Sequence, residues 1–318
     1  MKRLLAVLCI AGLLFSFCTV AHAEYTPSGE FNIRVFAAAG GVADVVTRIA
    51  AQGLQEQYGV TAIINNLTGA NGAVAVADMN AYDPSINELS LVSMNLFTMG
   101  PLMNPELNIK FEDYAVVGSL IRDEFVLLVS SASGIKTWDD LVAYGKENMI
   151  IFASNTPGGN THIVQTALFG DAEIDANALT SSGSNKDILA VLSGDAICTA
   201  ATVTLSKQYV DSGELVPLLV FSENDCTAFE GYEAVPSVVS LGYNVIIPSI
   251  NFLVTRAGVP AEEIEGFYNA LLAYRETESF KTAAAAANYT PDATNAEELS
   301  AEIERVAVIC EEIFNKYY

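Results

Sequence analysis

Four short segments concentrate the residues of this chain that could do chemistry. Ser154, Asn155, Thr156, Pro157, Gly158, Gly159, Asn160 and Thr161 run into His162, and Ala38, Ala39, Gly40 and Gly41 run toward Asp44. The other two are residues 93–97, opening with Ser93, and residues 180–184, with Ser181, Ser182, Gly183 and Ser184. A glycine loop that opens a helix presents unpaired backbone N–H groups and the positive end of the helix dipole. It thereby holds an anion with no basic side chain. Gly40 and Gly41 also read as a plain tight turn that lets strand and helix pack closely. His162 at a helix start reads as a cap or packing residue rather than a base. Asp44 reads as a residue that caps the helix it opens, or accepts hydrogen bonds from the glycine turn, and so shapes the loop without touching a charged ligand.

Composition removes most rival chemistries. The 318 residues contain two histidines, His22 and His162, too few for most zinc sites or His-based catalysis. No G-x-S-x-G elbow and no Ser-His-acid spacing is present, and the carboxylates are too scattered to form a recognisable metal set. The expectation is therefore no catalytic residue, no metal and no cofactor. Lys plus Arg number 15 against 38 Asp plus Glu, net −23, which repels nucleic acid and anionic bilayers. A carboxylate can still bind, because physiological salt screens distant charge beyond about 8 Å while local donors act at contact. The pairs Glu262-Glu263 and Glu297-Glu298 read as solvated helix faces.

The first 23 residues read as an export signal. Lys2 and Arg3 are followed by an apolar stretch over residues 4–17 and by Ala21-His22-Ala23, an A-x-A cleavage site before Glu24. The stretch is short of the roughly 20 residues a membrane span needs. Cys18 raises a lipoprotein alternative, against which Phe17 is bulky where a small residue is wanted. Cleavage near Ala23 leaves 295 residues with 13 basic and 38 acidic side chains, a net of −25, and places the protein in the periplasm. Cys198, Cys226 and Cys310 remain. That odd number allows at most one disulfide, with a Cys198–Cys226 pair and buried free thiols both open.

These segments need elements to position them. Strands are expected over residues 31–37, 60–65, 89–93, 125–130, 150–153, 196–200 and 216–221. Helices are expected over 44–58, 73–81, 138–146, 162–169, 185–192 and 205–212, with an almost wholly helical tail from 260 to 318. Strands alternating with helices of this length predict parallel α/β sheets built from right-handed crossovers. In such sheets ligands sit beyond the carboxyl ends of the strands, where all four segments fall. Length favours two domains, and with no repeat and no Pro-rich or Gly/Ser-rich linker they must be joined by short connections.

The order of the motifs resembles the substrate-binding proteins of tripartite tricarboxylate transporters, the Bug family. The residues that carry the likeness begin with Val35-Phe36-Ala37-Ala38-Ala39-Gly40-Gly41-Val42-Ala43-Asp44, then Asn66-Leu67-Thr68-Gly69-Ala70-Asn71-Gly72, then the segment from Ser154 to His162. Weaker matches follow at Ser182-Gly183-Ser184 with Leu192-Ser193-Gly194-Asp195, Ser212-Gly213-Glu214-Leu215, Val235-Pro236-Ser237 with Leu241-Gly242, and Ala257-Gly258-Val259-Pro260. The resemblance implies a two-lobed α/β periplasmic-binding-protein fold of the Venus flytrap, type II-like kind, with a cleft between lobes. Lobe one would comprise residues 24–124 and 247–318, and lobe two residues 125–246. Between them would lie a small organic acid, held by backbone amides, hydroxyls and bridging waters. By position, Ala38, Ala39, Gly40, Gly41 and Asp44, with Ser93 beside them, would form one carboxylate site. Ser154, Asn155, Thr156, Gly158, Gly159, Asn160, Thr161 and Ser182 would hold the distal end. The implied partners are the permease subunits of such a transporter, served by a monomer.

The chain departs from the family pattern where Phe36-Ala37 replaces Pro-Phe, Ser181-Ser182-Gly183 replaces Tyr-Lys-Gly, and Ala201 stands near a common Asp. These changes enlarge the pocket and alter its polarity, which leaves a neutral or partly apolar ligand open. The alternative role is a periplasmic sensor that feeds the same ligand to a signalling partner, since both roles use lobe closure.

Overall fold

The computed structural model describes residues 25–181, 183–287 and 289–318. The export signal read at residues 1–23 and the site residue Ser182 lie outside them. The described chain forms two five-stranded sheets with helices on their faces.

The first sheet has the order β2 (Thr61–Asn66), β1 (Glu30–Val35), β3 (Glu88–Ser93), β10 (Ser249–Arg256), β4 (Tyr114–Asp123). β1 lies inside the sheet between β2 and β3 and is buried on both faces through Phe31, Ile33, Arg34 and Val35. Arg34 is a buried cation in this strand and is neutralised in place by Asp78 at 2.7 Å and by Glu88, with its guanidinium 4.7 Å from the Tyr82 ring centre. Helix α1 (Val42–Tyr58) follows β1 and stops at Gly59, whose left-handed φ of 68° forms the C-terminal cap. Helix α2 (Ala73–Met79) follows β2, and the short α3 (Met99–Met103) follows β3.

The chain then passes directly from β4 into β5 (Phe125–Ser130), a strand of the second sheet. That sheet has the order β7 (Ala176–Thr180), β6 (Ile150–Ser154), β8 (Cys198–Thr202), β5, β9 (Leu215–Val220). Helices α4 (Trp138–Glu147), α5 (Asn160–Asp171), α6 (Ser184–Ser193) and α7 (Val203–Asp211) connect its strands. The chain returns to the first sheet through β10 and finishes in α8 (Ala261–Arg275), α9 (Glu278–Ala287) and α10 (Ala296–Tyr317).

Wholly parallel sheets are not what the chain builds. β10 runs antiparallel to β3 and β4, and β5 antiparallel to β8 and β9, so both sheets are mixed. The antiparallel strands β5 and β10 are those that bring the chain into each sheet from the other. A strand entering from outside need not complete a crossover and is free to reverse. The exposed edge beyond β4 is covered by the segment before α10, through bridges Gly118↔Asn295 and Ile121↔Pro291.

Helix α10 links the two halves. Leu299, Ile303, Val306, Cys310 and Ile313 share one apolar cluster with Phe97 and Phe252 of the first half and with Ile163 and Phe169 of the second. Its last turn bonds to α5, with Lys316 Nζ 2.6 Å from Asp171 Oδ1. Cys198, Cys226 and Cys310 are all buried free thiols, which settles the choice left open by their number. No helix among the described residues is long and apolar enough to cross a membrane.

Candidate ligand-binding cleft

The turn after β1 is built around Asp44. Ala38, Ala39, Gly40 and Gly41 are exposed, whereas Asp44 is buried in the first turn of α1. Gly40 adopts φ +81°, which a side chain would strain, and donates its N–H to Asp44 Oδ2 at 2.9 Å. Asp44 also accepts from Arg48 Nε at 3.0 Å and from Asn66 Nδ2 at 3.0 Å, and the Asn66 amide holds Ala37 O at 2.9 Å. The Arg48 bond, helped by Gly40 and Asn66, outweighs burial and holds the Asp44 carboxyl down at about 2. Asp44 therefore locks the turn from inside. Helix α1 begins at Gly41 with no side-chain cap, so the first-turn amides of Val42, Ala43 and Asp44 have no intrahelical acceptor.

The loop after β6 is tied mainly to itself and to the first half. Asn155 N–H donates to Thr161 Oγ1 at 3.3 Å, Thr161 Oγ1 donates to Asn155 Oδ1 at 2.9 Å, and Gly158 N–H reaches His162 Nδ1 at 3.4 Å. Asn95, two residues after Ser93, donates through Nδ2 to Gly158 O at 3.0 Å and to Asn160 Oδ1 at 3.1 Å, bridging the halves. Gly158 has φ +71° and lies so close to α3 that a Cβ there would stand 2.9 Å from Met103 Cγ. Ser154 and Thr161 are buried, Thr156 is exposed, and Gly159 opens α5 without a side-chain cap. Burial pushes the pKa of His162 down, and with Nδ1 accepting from Gly158 and facing Tyr318 Oη at 2.7 Å the ring is a packing residue.

Between the two sheets lies a cavity of about 400 Å³. The first half contributes Val42, Ile121, Asp123, Ser249, Asn251, Tyr289 and Thr290, and the second contributes Ser184, Asn185, Thr202, Thr204 and Leu205. Val42 is the first residue of α1, and Ser184 and Asn185 are the first two of α6, which begins at Gly183 with no side-chain cap. Two uncapped helix N-termini, one from each half, thus border the same space. None of the described residues predicted from sequence lines this cavity directly. Gly41 adjoins Val42, Ser93 is the register partner of Asn251, and the 154–161 segment meets the first half at Asn95. No group of three His, Cys, Asp or Glu among the described residues could hold a metal ion.

The sequence profile of the family described as "Tripartite tricarboxylate transporter family receptor" matches residues 46–310. The chain belongs to that family. Protein BugT of Bordetella pertussis is 25% identical over 259 residues, which span 80% of this chain and 78% of BugT. The crystal structure of a TctC solute binding protein from Polaromonas superposes with a TM-score of 0.77 at 23% identity, covering 92% of this chain and 100% of that one. The structure of R. palustris Rpa4515 with adipate gives 0.77 at 17% identity, covering 92% and 98%. The two-lobed α/β architecture is shared with these proteins.

Sequence reasoning missed several residues of this receptor's cavity and of the bridge between its halves. Asn95 and Ser184 lay inside segments already singled out for their polar composition. Asp123, Tyr289 and Thr290 carried no signal, because β4 was not recognised and 289–290 fell within a tail read as helix. Asp123 accepts from Glu124 N–H at 2.8 Å and from Thr204 N–H at 3.2 Å, so it caps α7 from across the strand crossing, and burial raises its pKa.

Proposed function

We propose that this receptor captures a small organic acid between its two lobes and delivers it to the permease subunits of a tripartite tricarboxylate-type transporter. Lobe one would be residues 24–124 and 247–318, and lobe two residues 125–246. The observation that carries this reading is the pair of uncapped helix N-termini, α1 and α6, facing one cavity. Amide groups at a helix start bind carboxylates directly, and a site using them needs no lysine or arginine. The turn from Ala38 to Gly41, set by Asp44, presents the α1 amides to one carboxylate. Ser184 and Asn185 take the distal end, while Ser93, with Ser154, Asn155, Thr156, Gly158, Gly159, Asn160 and Thr161, forms the floor that Asn95 bolts across the lobes. Ligand favours the closed arrangement by its greater affinity for that form. Residues 1–23 direct export, and the receptor works in the periplasm.

Adipate bound to Rpa4515 supports a carboxylate as the class to try first. The test is thermal unfolding of the signal-less chain against di- and tricarboxylates, amino acids and aromatic acids. A true ligand at about a hundred times its Kd adds about 2.7 kcal/mol, a rise in Tm of about 5 °C. Stabilisation by at least one carboxylate is expected. No stabilisation by any acid, with mass spectrometry showing no ligand already bound, would overturn the reading.

A further inference from the structure

Charge in the cleft is one-sided. Among the described residues that line the cavity, Asp123 is the sole carboxylic acid and no lysine, arginine or histidine is present. The other polar groups are hydroxyls and amides. Arg122, the nearest cation in sequence, is committed elsewhere, since its Nη2 lies 2.6 Å from Glu302 Oε2 and its Nε 3.4 Å from Asp292 Oδ2. Asp123 itself is met by the backbone N–H groups of Glu124 and Thr204, which take one lone pair on each carboxylate oxygen. The side chains of Thr202 and Thr204 also hydrogen-bond to Asp123, and all of these donors are neutral, so none of them balances its charge.

We infer that Asp123 is a specificity-determining residue, whose carboxylate selects organic acids that carry a protonated amine over the same acids without one. This rests on the proposed capture of a carboxylate ligand at the helix N-termini. With α1 at one side of the cavity and α6 at the other, the acid groups of a ligand have amide donors to meet. The remaining wall, at the end of β4 where the lobes join, presents a carboxylate. A ligand that brings no cation leaves the Asp123 charge met by neutral donors alone in a closing cleft, and one that brings a further carboxylate against it adds repulsion. An ammonium there forms a charge-assisted hydrogen bond and removes both costs. Burial already raises the Asp123 pKa, in keeping with a carboxylate that lacks a resident cation. The net charge of −23 over the whole chain acts in the same direction by disfavouring multiply anionic ligands.

The experiment compares matched ligands that differ by one amino group, succinate with aspartate, glutarate with glutamate, and adipate with 2-aminoadipate, by calorimetric titration of the unaltered signal-less protein. The amino acid of at least one pair is expected to bind about tenfold or more tighter than its partner. In Asp123→Asn that ratio is expected to fall to near one, with the unsubstituted acid bound as well as before or better. If Asp123→Asn does not fold, as judged by circular dichroism, Asp123→Ser keeps an oxygen to accept from Thr204 N–H and replaces it. Unsubstituted acids bound as tightly as the amino acids would overturn this inference and leave carboxylate capture standing. A preference that survives both substitutions would remove Asp123 from the role. Failure of every ligand in the set and in the wider panel would overturn the capture reading and this inference with it.

Discussion

Helices α1, α5 and α6 begin at Gly41, Gly159 and Gly183 with no side-chain cap, whereas α4, α7 and α10 begin at Thr137, Thr202 and Asn295, whose side chains accept from the first turn. A side-chain cap stabilises a helix by about 1 kcal/mol relative to alanine. The chain makes those caps on helices away from the cleft floor, and at α4 adds the reciprocal Asp140 bond of a capping box. At α1, α5 and α6 it forgoes them, as it does at α2, α3 and α8, and of these uncapped first turns those of α1 and α6 border the cavity. Helix α7 borders the cavity yet is closed twice, by Thr202 and by Asp123, which separates a helix that lines the space from those that offer it donors.

The comparison breaks most severely at Gly158. Gly158→Val puts a branched side chain at φ +71° and its Cβ within 2.9 Å of Met103 Cγ. The expected cost is about 2–4 kcal/mol, together with loss of carboxylate binding, because the clash wedges the lobes apart at Asn95. Urea unfolding followed by titration checks both. Gly40 has the same left-handed backbone with open space around it, so Gly40→Val is the matched control for strain without collision.

Asp44→Asn comes next, at about 2–3 kcal/mol, since the buried Asp44 site loses its charge partner Arg48 and leaves one donor facing another. The pH dependence has a defined sign. Asp44 is held at about 2, below its value in the unfolded chain, so its contribution is fully present above about pH 4 and drains away as pH falls toward 2. Denaturant midpoints of the native chain and Asp44→Asn are expected to converge over that window. Parallel curves across it would show that Asp44 is not the anchor of the turn.

Much of this was written in the sequence, and what was not has identifiable causes. Glycine and hydroxyl clusters marked the turn after β1 and the loop after β6 because each must leave a strand and open a helix within a few residues. Strand β4 went unread because Gly118, Ser119, Arg122 and Asp123 break its apolar run, and β7 because its burial is slight and its residues small. The antiparallel entries of β5 and β10 depend on where the chain crosses between sheets, which periodicity does not encode. The cavity wall escaped for the same reason. Asp123 meets Thr204 only after four strands, β5 to β8, and three helices, α4 to α6, have been placed.

Two smaller effects sharpen the contrast. Thr137→Ala removes the α4 cap, and the expected result is a loss of about 1 kcal/mol with carboxylate affinity unchanged. Gly41→Ser does the reverse. Its backbone, φ −74° and ψ 163°, is suited to a capping serine, and the added Cβ meets Ala38 O at 3.2 Å, which a small shift relieves. Stability is expected to change by only about 0.5 kcal/mol while carboxylate affinity drops about tenfold, since the new hydroxyl competes for the same amides.

The central claim, that open helix N-termini from both lobes hold the acid, is tested most directly by amide chemical-shift mapping during titration with adipate or the best acid from the unfolding panel. The predicted result is saturable displacement of the Val42, Ala43, Ser184 and Asn185 amides at a common midpoint, with the capped first turn of α4 unmoved. Saturable binding that leaves the first turns of α1 and α6 unshifted would contradict it.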